Sequence, residues 1–351
     1  MAKLFLHIGF AKTGTTSIQN DMVKNFDALL EQGILYPSDP RAPFMHKVQH
    51  LPLVAAIPNH TVHNLPPEKK ATLDRAYNSL HSHLSKYSFN TLVLSSEFFG
   101  SPQLGVKELQ WIKDQFKDFE ICVIAYIRRQ DQHFLSGYQE NIKNGRQEPL
   151  DMGAYVTSPV LKFGARLEPW REVFGDEKVI VRPFSPKNWP DGELFLDFLE
   201  VIGGSADGLA LSKPRNEGLD YRVVDIFRRL NAKKPSQGIS AFRAWWKPSY
   251  FPSTLAKQKM QLSYETVEEM RDYFLPDNER ALRSTDISAG DFFPAVNKDQ
   301  QELIAPSSPD QDLLLHIISK LADEKRNRKP RKIAKKVSQN GLLWKILKRG
   351  K

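Results

Sequence analysis

Residues 5–19 read Phe-Leu-His-Ile-Gly-Phe-Ala-Lys-Thr-Gly-Thr-Thr-Ser-Ile-Gln, and this stretch decides the fold. Its apolar start is typical of a buried strand. Gly9 and Gly14 then permit a tight turn whose backbone N–H groups can close around an anion. The helix expected after the turn would present its positive N-terminal end to the same anion. We therefore predict a strand, a phosphate-binding loop and a helix.

The side chains of this loop also suit a phosphate. Lys12 supplies a full charge, and the hydroxyls of three threonines can donate hydrogen bonds to phosphate oxygens. In the loop that binds nucleoside triphosphates, G-x-x-x-x-G-K-[ST], the lysine follows the last glycine. Here Lys12 precedes Gly14, so the sequence favours a phosphate other than that of ATP or GTP.

A second candidate half-site lies farther along the chain. The apolar run Ile121–Ile127 has the length of a buried parallel strand. Arg128 and Arg129 follow it at once, and Ser136 stands eight residues after Arg128. Two arginines at the end of a strand are candidate anion-binding residues, and a pair of solvated surface charges is the alternative.

The order Lys-Thr-Gly-Thr-Thr, followed by the Arg128-to-Ser136 spacing, resembles the sulfotransferases that use 3′-phosphoadenosine 5′-phosphosulfate (PAPS) and release 3′-phosphoadenosine 5′-phosphate (PAP). The resemblance covers roughly residues 1–285 and is nearest to bacterial and carbohydrate sulfotransferases. It implies that the donor's 5′-phosphosulfate is held by Lys12, Thr13, Gly14, Thr15, Thr16 and Ser17. In this family an arginine and a serine eight residues after it hold the 3′-phosphate, which implies Arg128 and Ser136 here and ranks Arg129, at a spacing of seven, second. Arg215 of a late basic loop would complete the site.

Sulfuryl transfer requires charge stabilisation on the leaving phosphate and a base for the acceptor hydroxyl. Lys12 is the expected stabilising residue. Glu97 follows the predicted strand Thr91–Ser95 and stands among phenylalanines at the end of the strand, where α/β sheets place ligands. We expect Glu97 to be the base, with His46 as the rival and His50 four residues after it. A glutamate that caps the next helix or pairs with a core arginine is the structural alternative.

Alternating strand and helix patterns predict an α/β fold of three layers, in which helices flank a central, mostly parallel sheet of the P-loop type. Strands are expected at residues 3–8, 91–95, 120–127 and 179–183. Helices are expected from residue 15 into the thirties and at residues 46–56, 67–87, 106–116, 131–143, 192–202, 219–230 and 263–275. We expect a sulfotransferase domain at 1–285, a linker with a short helix at 286–324, and a tail at 325–351.

The tail carries the excess of positive charge. Residues 325–351 contain twelve Lys and Arg and no Asp or Glu, and the rest of the chain has 38 basic and 41 acidic residues. Basic residues flank Leu342, Leu343, Trp344 and Ile346, a pattern that favours an amphipathic segment on an anionic membrane surface. Binding an acidic glycan, or a solvated tail without a specific role, are the alternatives, and no nucleic-acid module accompanies the charge.

Composition and the remaining residues set the other expectations. One cysteine, and no apolar run long enough for a membrane span, favour a cytoplasmic protein attached at most to the inner membrane surface. We expect a hydroxyl acceptor and favour a carbohydrate, with lipid, tyrosine and small alcohols open. No Cys/His cluster has metal-ligand spacing. A P-loop kinase or NTPase, and a nucleotide-binding protein without catalysis, are the alternative functions.

Overall fold

A computed structural model describes residues 1–38, 48–58, 60, 76–212, 218–233, 246–300, 302–305 and 310–327. The chain forms two compact units. The first comprises Met1–Asn141, Pro149–Tyr221 and Lys259–Ile304, and the second comprises Ile142–Glu148, Arg222–Gln258 and Ala305–Lys351. The division into residues 1–285, 286–324 and 325–351 stays a prediction.

The first unit is built on a five-stranded sheet in which all strands are parallel, in the order β2-β3-β1-β4-β5. The strands are β1 Ala2–Gly9, β2 Ile34–Leu35, β3 Thr91–Ser95, β4 Phe119–Ile127 and β5 Val179–Pro183. The central strand β1 is buried from Leu4 to Gly9, as a parallel sheet covered on both faces requires. The predicted α/β class and parallel sheet are confirmed.

Helices lie between and after the strands. The helices of the N-terminal half are α1 Thr15–Lys24, α2 Phe26–Glu31, α3 Leu51–Ala55, α4 Ala76–Leu84, α5 Val106–Gln115, α6 Gln130–Lys143 and α7 Ala154–Thr157. Those of the C-terminal half are α8 Phe163–Phe174, α9 Leu194–Ile202, α10 Tyr221–Lys233, α11 Tyr264–Leu282, α12 Ala289–Phe292 and α13 Gln311–Asn327.

The two faces of the sheet are covered by different helices, which gives the three layers. On one face, Phe5, Val93 and Ile124 belong to a buried cluster with residues of α1, α2 and α9. On the other face lies α8, which contacts β4 and β5 and packs on α5. The alternation of side chains along a strand supplies both faces with apolar residues.

The single helix predicted after the loop is in fact two, because Asn25 interrupts it. The Asn25 side-chain amide donates to the Asp21 carbonyl at 2.9 Å, and its side-chain oxygen accepts the Ala210 N–H at 2.7 Å. An asparagine that bonds to backbone groups in this way competes with the helical pattern. The prediction of one continuous helix was therefore wrong at this residue.

Helices α8 and α11 complete each other's ends. The Asp277 carboxylate accepts the N–H groups of Gly164 and Ala165 at 2.9 and 3.0 Å, and so caps the start of α8. In return, Arg171 of α8 donates to the carbonyls of Arg280 and Ala281 near the end of α11. The predicted end of α11 at residue 275 was wrong, since the helix continues through Pro276, and α8 was not predicted.

The second unit is small and includes most of α10. The Asn231 side-chain amide donates to the carbonyls of Ile142 and Arg146 at 2.8 and 3.0 Å. Phe227 lies edge-on to Trp246, with ring centroids 5.8 Å apart. In the described parts of both units, no helix has the length and apolar content needed to cross a membrane.

Candidate active site

The loop after β1 curls because three of its residues adopt left-handed backbone angles: Gly9 at φ 99°, Lys12 at φ 66° and Gly14 at φ 76°. Lys12 is the unusual member, since only glycine adopts this region without strain. Within the described structure, no group accepts the N–H groups of residues 11–16, whereas the N–H of Ser17 already bonds to the Gly14 carbonyl at 2.8 Å. Consecutive free N–H groups at a helix start form an anion-binding concavity.

The four hydroxyl residues of the loop, three threonines and one serine, form two pairs with different roles. Thr13 and Thr15 are buried, and both hydroxyls donate to the Phe10 carbonyl, at 2.5 and 3.3 Å. These two hydroxyl hydrogen bonds stabilise the conformation of the loop. The backbone N–H groups of Thr13 and Thr15 have no acceptor among the described residues and can bind an anion. Thr16 is exposed and Ser17 is half-buried, so both hydroxyls remain accessible.

Two glycines bring the ends of β1 and β3 into close contact. A Cβ added at Gly9 would lie 3.1 Å from the Cα of Glu97, and one added at Gly100 would lie 2.5 Å from the Ile8 carbonyl oxygen. Larger residues would separate the two segments. The close approach therefore places Glu97 directly beside the loop, as the expected role of a base requires.

Lys12 lies among carboxylates contributed by two other elements. Its Nζ is 3.5 Å from Oε2 of Glu140 on α6, and both side chains are about one-third exposed. Burial raises the pKa of the half-buried Glu97, the charge of Lys12 opposes that rise, and the charge of Glu140 adds to it. Glu140 was not predicted from the sequence. Its position one helical turn after Ser136 is the signal that could have identified it.

One face of α6 rests on the loop. His133 Nε2 lies 2.9 Å from the Ala11 carbonyl oxygen, so this nitrogen carries the proton. Burial, together with the charges of Arg166 and Arg128, lowers the pKa of His133 to about 3, which keeps the ring neutral. Ser136 is three residues after His133 and four before Glu140, hence on the same face. The helix thus places Ser136 between two contacts with the loop.

The structure distinguishes the two consecutive arginines. Arg129 is paired with the Asp131 carboxylate through two hydrogen bonds of 2.9 and 3.2 Å. Arg128 instead donates from Nη1 to the Lys12 carbonyl at 3.2 Å, and its buried Nε has no hydrogen-bond partner among the described residues. Its guanidinium also lies 5.4 Å from the Phe184 ring. Arg128 therefore has a buried donor available beside the loop.

A further arginine, which sequence reasoning missed, adds positive charge near the loop. The Arg166 guanidinium stacks 3.6 Å from the centre of the Phe10 ring and donates to the carbonyls of Gly100 and Val160, at 3.1 and 2.6 Å for its Nε and Nη1. Burial lowers its pKa, and the charge of Asp277 opposes that shift. Arg166 lies on α8, and this helix was itself not predicted.

Of the remaining predicted residues, two lie outside the described structure and one has a structural role. His46 and Arg215 lie outside the described residues, so their expected roles stay predictions. His50 is 1% exposed, accepts the Ser95 N–H at Nδ1 (2.9 Å) and bonds from Nε2 to the Pro37 carbonyl (2.7 Å). Because both nitrogens have backbone partners, His50 has a structural role.

Comparison with known proteins gives limited similarity. No family model matches the chain. An uncharacterized protein from Archaeoglobus fulgidus is 25% identical over 142 residues, which is 40% of this chain and only 38% of that relative. The crystal structure of a sulfotransferase from Alicyclobacillus acidocaldarius is 16% identical, with a TM-score of 0.40 over 81% of this chain and 95% of that one. Likeness of this size does not assign the chain to a family.

Proposed function

We propose that this protein is a PAPS-dependent sulfotransferase that transfers a sulfuryl group to a hydroxyl acceptor. One observation carries the proposal. The loop with free N–H groups, the ammonium of Lys12 and the carboxylate of Glu97 meet at one edge of the sheet. An anion site, a cation and a base are the three elements that this transfer requires.

The residues present fit a donor that carries phosphate at two positions. The N–H groups of residues 11–16 would hold the 5′-phosphosulfate, with the accessible hydroxyls of Thr16 and Ser17. The unpartnered Nε of Arg128 and the hydroxyl of Ser136 would hold the 3′-phosphate. When bound, the donor supplies an activated sulfuryl group, and its 5′-phosphate is the leaving group.

The roles of Lys12 and Glu97 follow from charge. Glu97 accepts the proton of the acceptor hydroxyl as the oxygen forms its bond to sulfur. Lys12 neutralises the negative charge that develops on the oxygen shared by the sulfur and the leaving phosphate. The environment of Glu97 raises its pKa, so its carboxylate holds a proton more strongly than an exposed one does.

The acceptor, the tail and the location belong to the proposal as well. We favour a carbohydrate acceptor and attachment to an anionic membrane surface through residues 325–351, in a cytoplasmic protein. Removal of residues 325–351 should leave transfer to a soluble acceptor unchanged and abolish binding to vesicles that contain anionic lipid. A truncated protein that no longer transfers to a soluble acceptor would contradict this separation.

Calorimetric titration tests the donor. We expect PAP to bind and AMP to bind much more weakly, because AMP lacks the 3′-phosphate. Binding of ATP with Mg²⁺ instead of PAP would support the kinase or NTPase alternative. Transfer from labelled PAPS to a panel of glycans then tests catalysis, and Lys12→Ala should abolish it. If PAP binds but no acceptor is sulfated, the non-catalytic alternative is favoured.

A further inference from the structure

Glu140 is the acidic residue of the site to which the proposed reaction gives no role. It lies on the face of α6 that rests on the loop, one turn after Ser136, and its Oε2 is 3.5 Å from Lys12 Nζ. Both side chains are partly buried, with 27% exposure for Lys12 and 35% for Glu140. A negative charge this close to an anion-binding loop opposes anion binding, so its presence requires an explanation.

We propose that Glu140 is a positioning residue that holds the Lys12 ammonium until the donor's anion replaces the Glu140 carboxylate. The inference rests on the proposed function. In this arrangement Lys12 has a negative partner both without and with donor, and it exchanges one for the other when the donor binds. The exchange moves no backbone, because Lys12 is long and its main chain is fixed by the contact of its carbonyl with Arg128.

The pair also leaves Glu97 available. Were Lys12 to pair with Glu97, the ammonium would stabilise the ionised carboxylate and reduce its affinity for the acceptor's proton. With Lys12 beside Glu140, the charged groups of the described residues that act on Glu97 are the Lys12 ammonium of the loop and the Glu140 carboxylate of α6. These two have opposite effects on its proton affinity. Glu140 therefore gives the cation a carboxylate partner other than the base.

Replacing Glu140 by glutamine has two consequences that differ from those of lost packing. The loop loses a competing negative charge, so PAP should bind about fivefold more tightly, in line with the value of a partly exposed ion pair. Glu97 loses a neighbouring negative charge, so the acidic limb of the pH–rate profile should move to lower pH. A residue with a merely structural role would instead weaken PAP binding and leave the position of that limb unchanged.

The experiment uses the full-length chain in three forms: wild type, Glu140→Gln and Glu172→Gln. Glu172 is exposed on α8, and its variant removes the same charge from the protein away from the loop. PAP affinity is measured by calorimetry at low and at high salt, and transfer is measured across pH. We expect the gain in affinity in Glu140→Gln alone, and we expect high salt to reduce it.

The outcomes separate this inference from the proposed function. Failure of the wild type to bind PAP would overturn both. Normal PAP binding by the wild type, with equal or weaker binding and an unmoved acidic limb in Glu140→Gln, would overturn the positioning role alone. If Glu140→Gln does not fold, Glu140→Asp serves in its place. The shorter side chain keeps the charge but weakens its contact with Lys12, so Glu140→Asp should bind PAP more tightly than the wild type does, and equal or weaker binding would overturn the positioning role.

Discussion

Replacing Arg128 by alanine is expected to raise the Kd for PAP by about two orders of magnitude, whereas Arg129→Ala should change it by less than threefold. The two residues are adjacent and chemically identical, but their surroundings differ. Arg129 is already bound to Asp131 by two hydrogen bonds and lies 4.9 Å from the Phe293 ring. Arg128 keeps a buried Nε without a described partner.

The magnitude follows from that unpartnered donor. A hydrogen bond between ionised groups contributes about 1.5–3 kcal/mol, and the buried setting of Arg128 favours the upper end of the range. A loss of about 3 kcal/mol corresponds to roughly a 150-fold increase in Kd, since each 1.4 kcal/mol is tenfold. Arg129→Ala removes a residue whose charge is balanced by Asp131, so the expected change is small.

The assay is calorimetric titration of the wild type and both variants with PAP and with AMP. The loss in Arg128→Ala should be large for PAP and small for AMP, because AMP carries no 3′-phosphate. Arg128 also contacts the Lys12 carbonyl and the Phe184 ring, so circular dichroism must establish that the variant is folded at the temperature of titration. Equal losses in both variants, or unchanged PAP binding in Arg128→Ala, would refute the reasoning.

Four further predictions concern the site and its support. Glu97→Gln should lower kcat by about 10²- to 10⁴-fold while PAP still binds, and the wild-type rate should fall as pH drops through the raised pKa of Glu97, since only the carboxylate accepts a proton. His133 has a pKa of about 3 in the folded protein and 6.5 unfolded, so the unfolded state binds more protons between these values. The free energy of unfolding is therefore lost as pH falls through that window, by up to about 1.4 kcal/mol per pH unit, and urea denaturation of His133→Gln should show a smaller loss. Gly137→Ala should increase the free energy of unfolding by about 0.5–1 kcal/mol and so raise Tm, because Gly137 lies inside α6 and a Cβ there meets no described atom within 4 Å. Asp277→Ala should lower the free energy of unfolding by about 1–3 kcal/mol, since it leaves two N–H groups at the start of α8 without their acceptor.

Each of these has a result that would contradict it. A Glu97→Gln variant with normal kcat would remove Glu97 from catalysis and leave His46 as the candidate base. An identical dependence of stability on pH in His133→Gln would mean that this ring is not buried as a neutral group. A lower Tm for Gly137→Ala would mean that the space beside α6 is filled, and an unchanged Tm for Asp277→Ala would mean that the cap is replaced by water.

The sequence predicted those parts of the candidate site that depend on a single short segment of the chain. The loop after β1 and the arginine after β4 each need only a strand, its end and a few residues beyond it. The contact between Glu140 and Lys12 needs the packing of α6 on the loop. The spacing from Ser136 places Glu140 on the same face of α6, but it does not specify that packing. Likewise, the spacing to Ser136 ranks Arg128 first, but the pairing of Arg129 with Asp131 is a contact that only the structure shows.

Prediction of the helices failed where tertiary contacts override local rules. A proline normally ends a helix, so Pro276 indicated an end to α11. The helix continues because its final turns are held from α8, where Arg171 donates to the carbonyls of Arg280 and Ala281. Asn25 shows the converse. The apolar pattern continues past this residue and predicts one helix, but the Asn25 side chain bonds to the backbone of Asp21 and Ala210 and divides the helix in two.

The reciprocal capping of α8 and α11 also has a consequence for biosynthesis. Asp277 is 113 residues from Gly164, whose N–H it accepts. At roughly 5–20 residues per second, a ribosome adds that aspartate about 6–23 seconds after the start of α8 has been made. The loop after β1 and strands β1 to β4 are synthesised before that interval, and β5 is synthesised early within it, while α8 still lacks its cap. We therefore expect a nascent chain whose residue 277 is still inside the ribosome to be more readily cut by protease at α8 than one whose residue 277 has emerged.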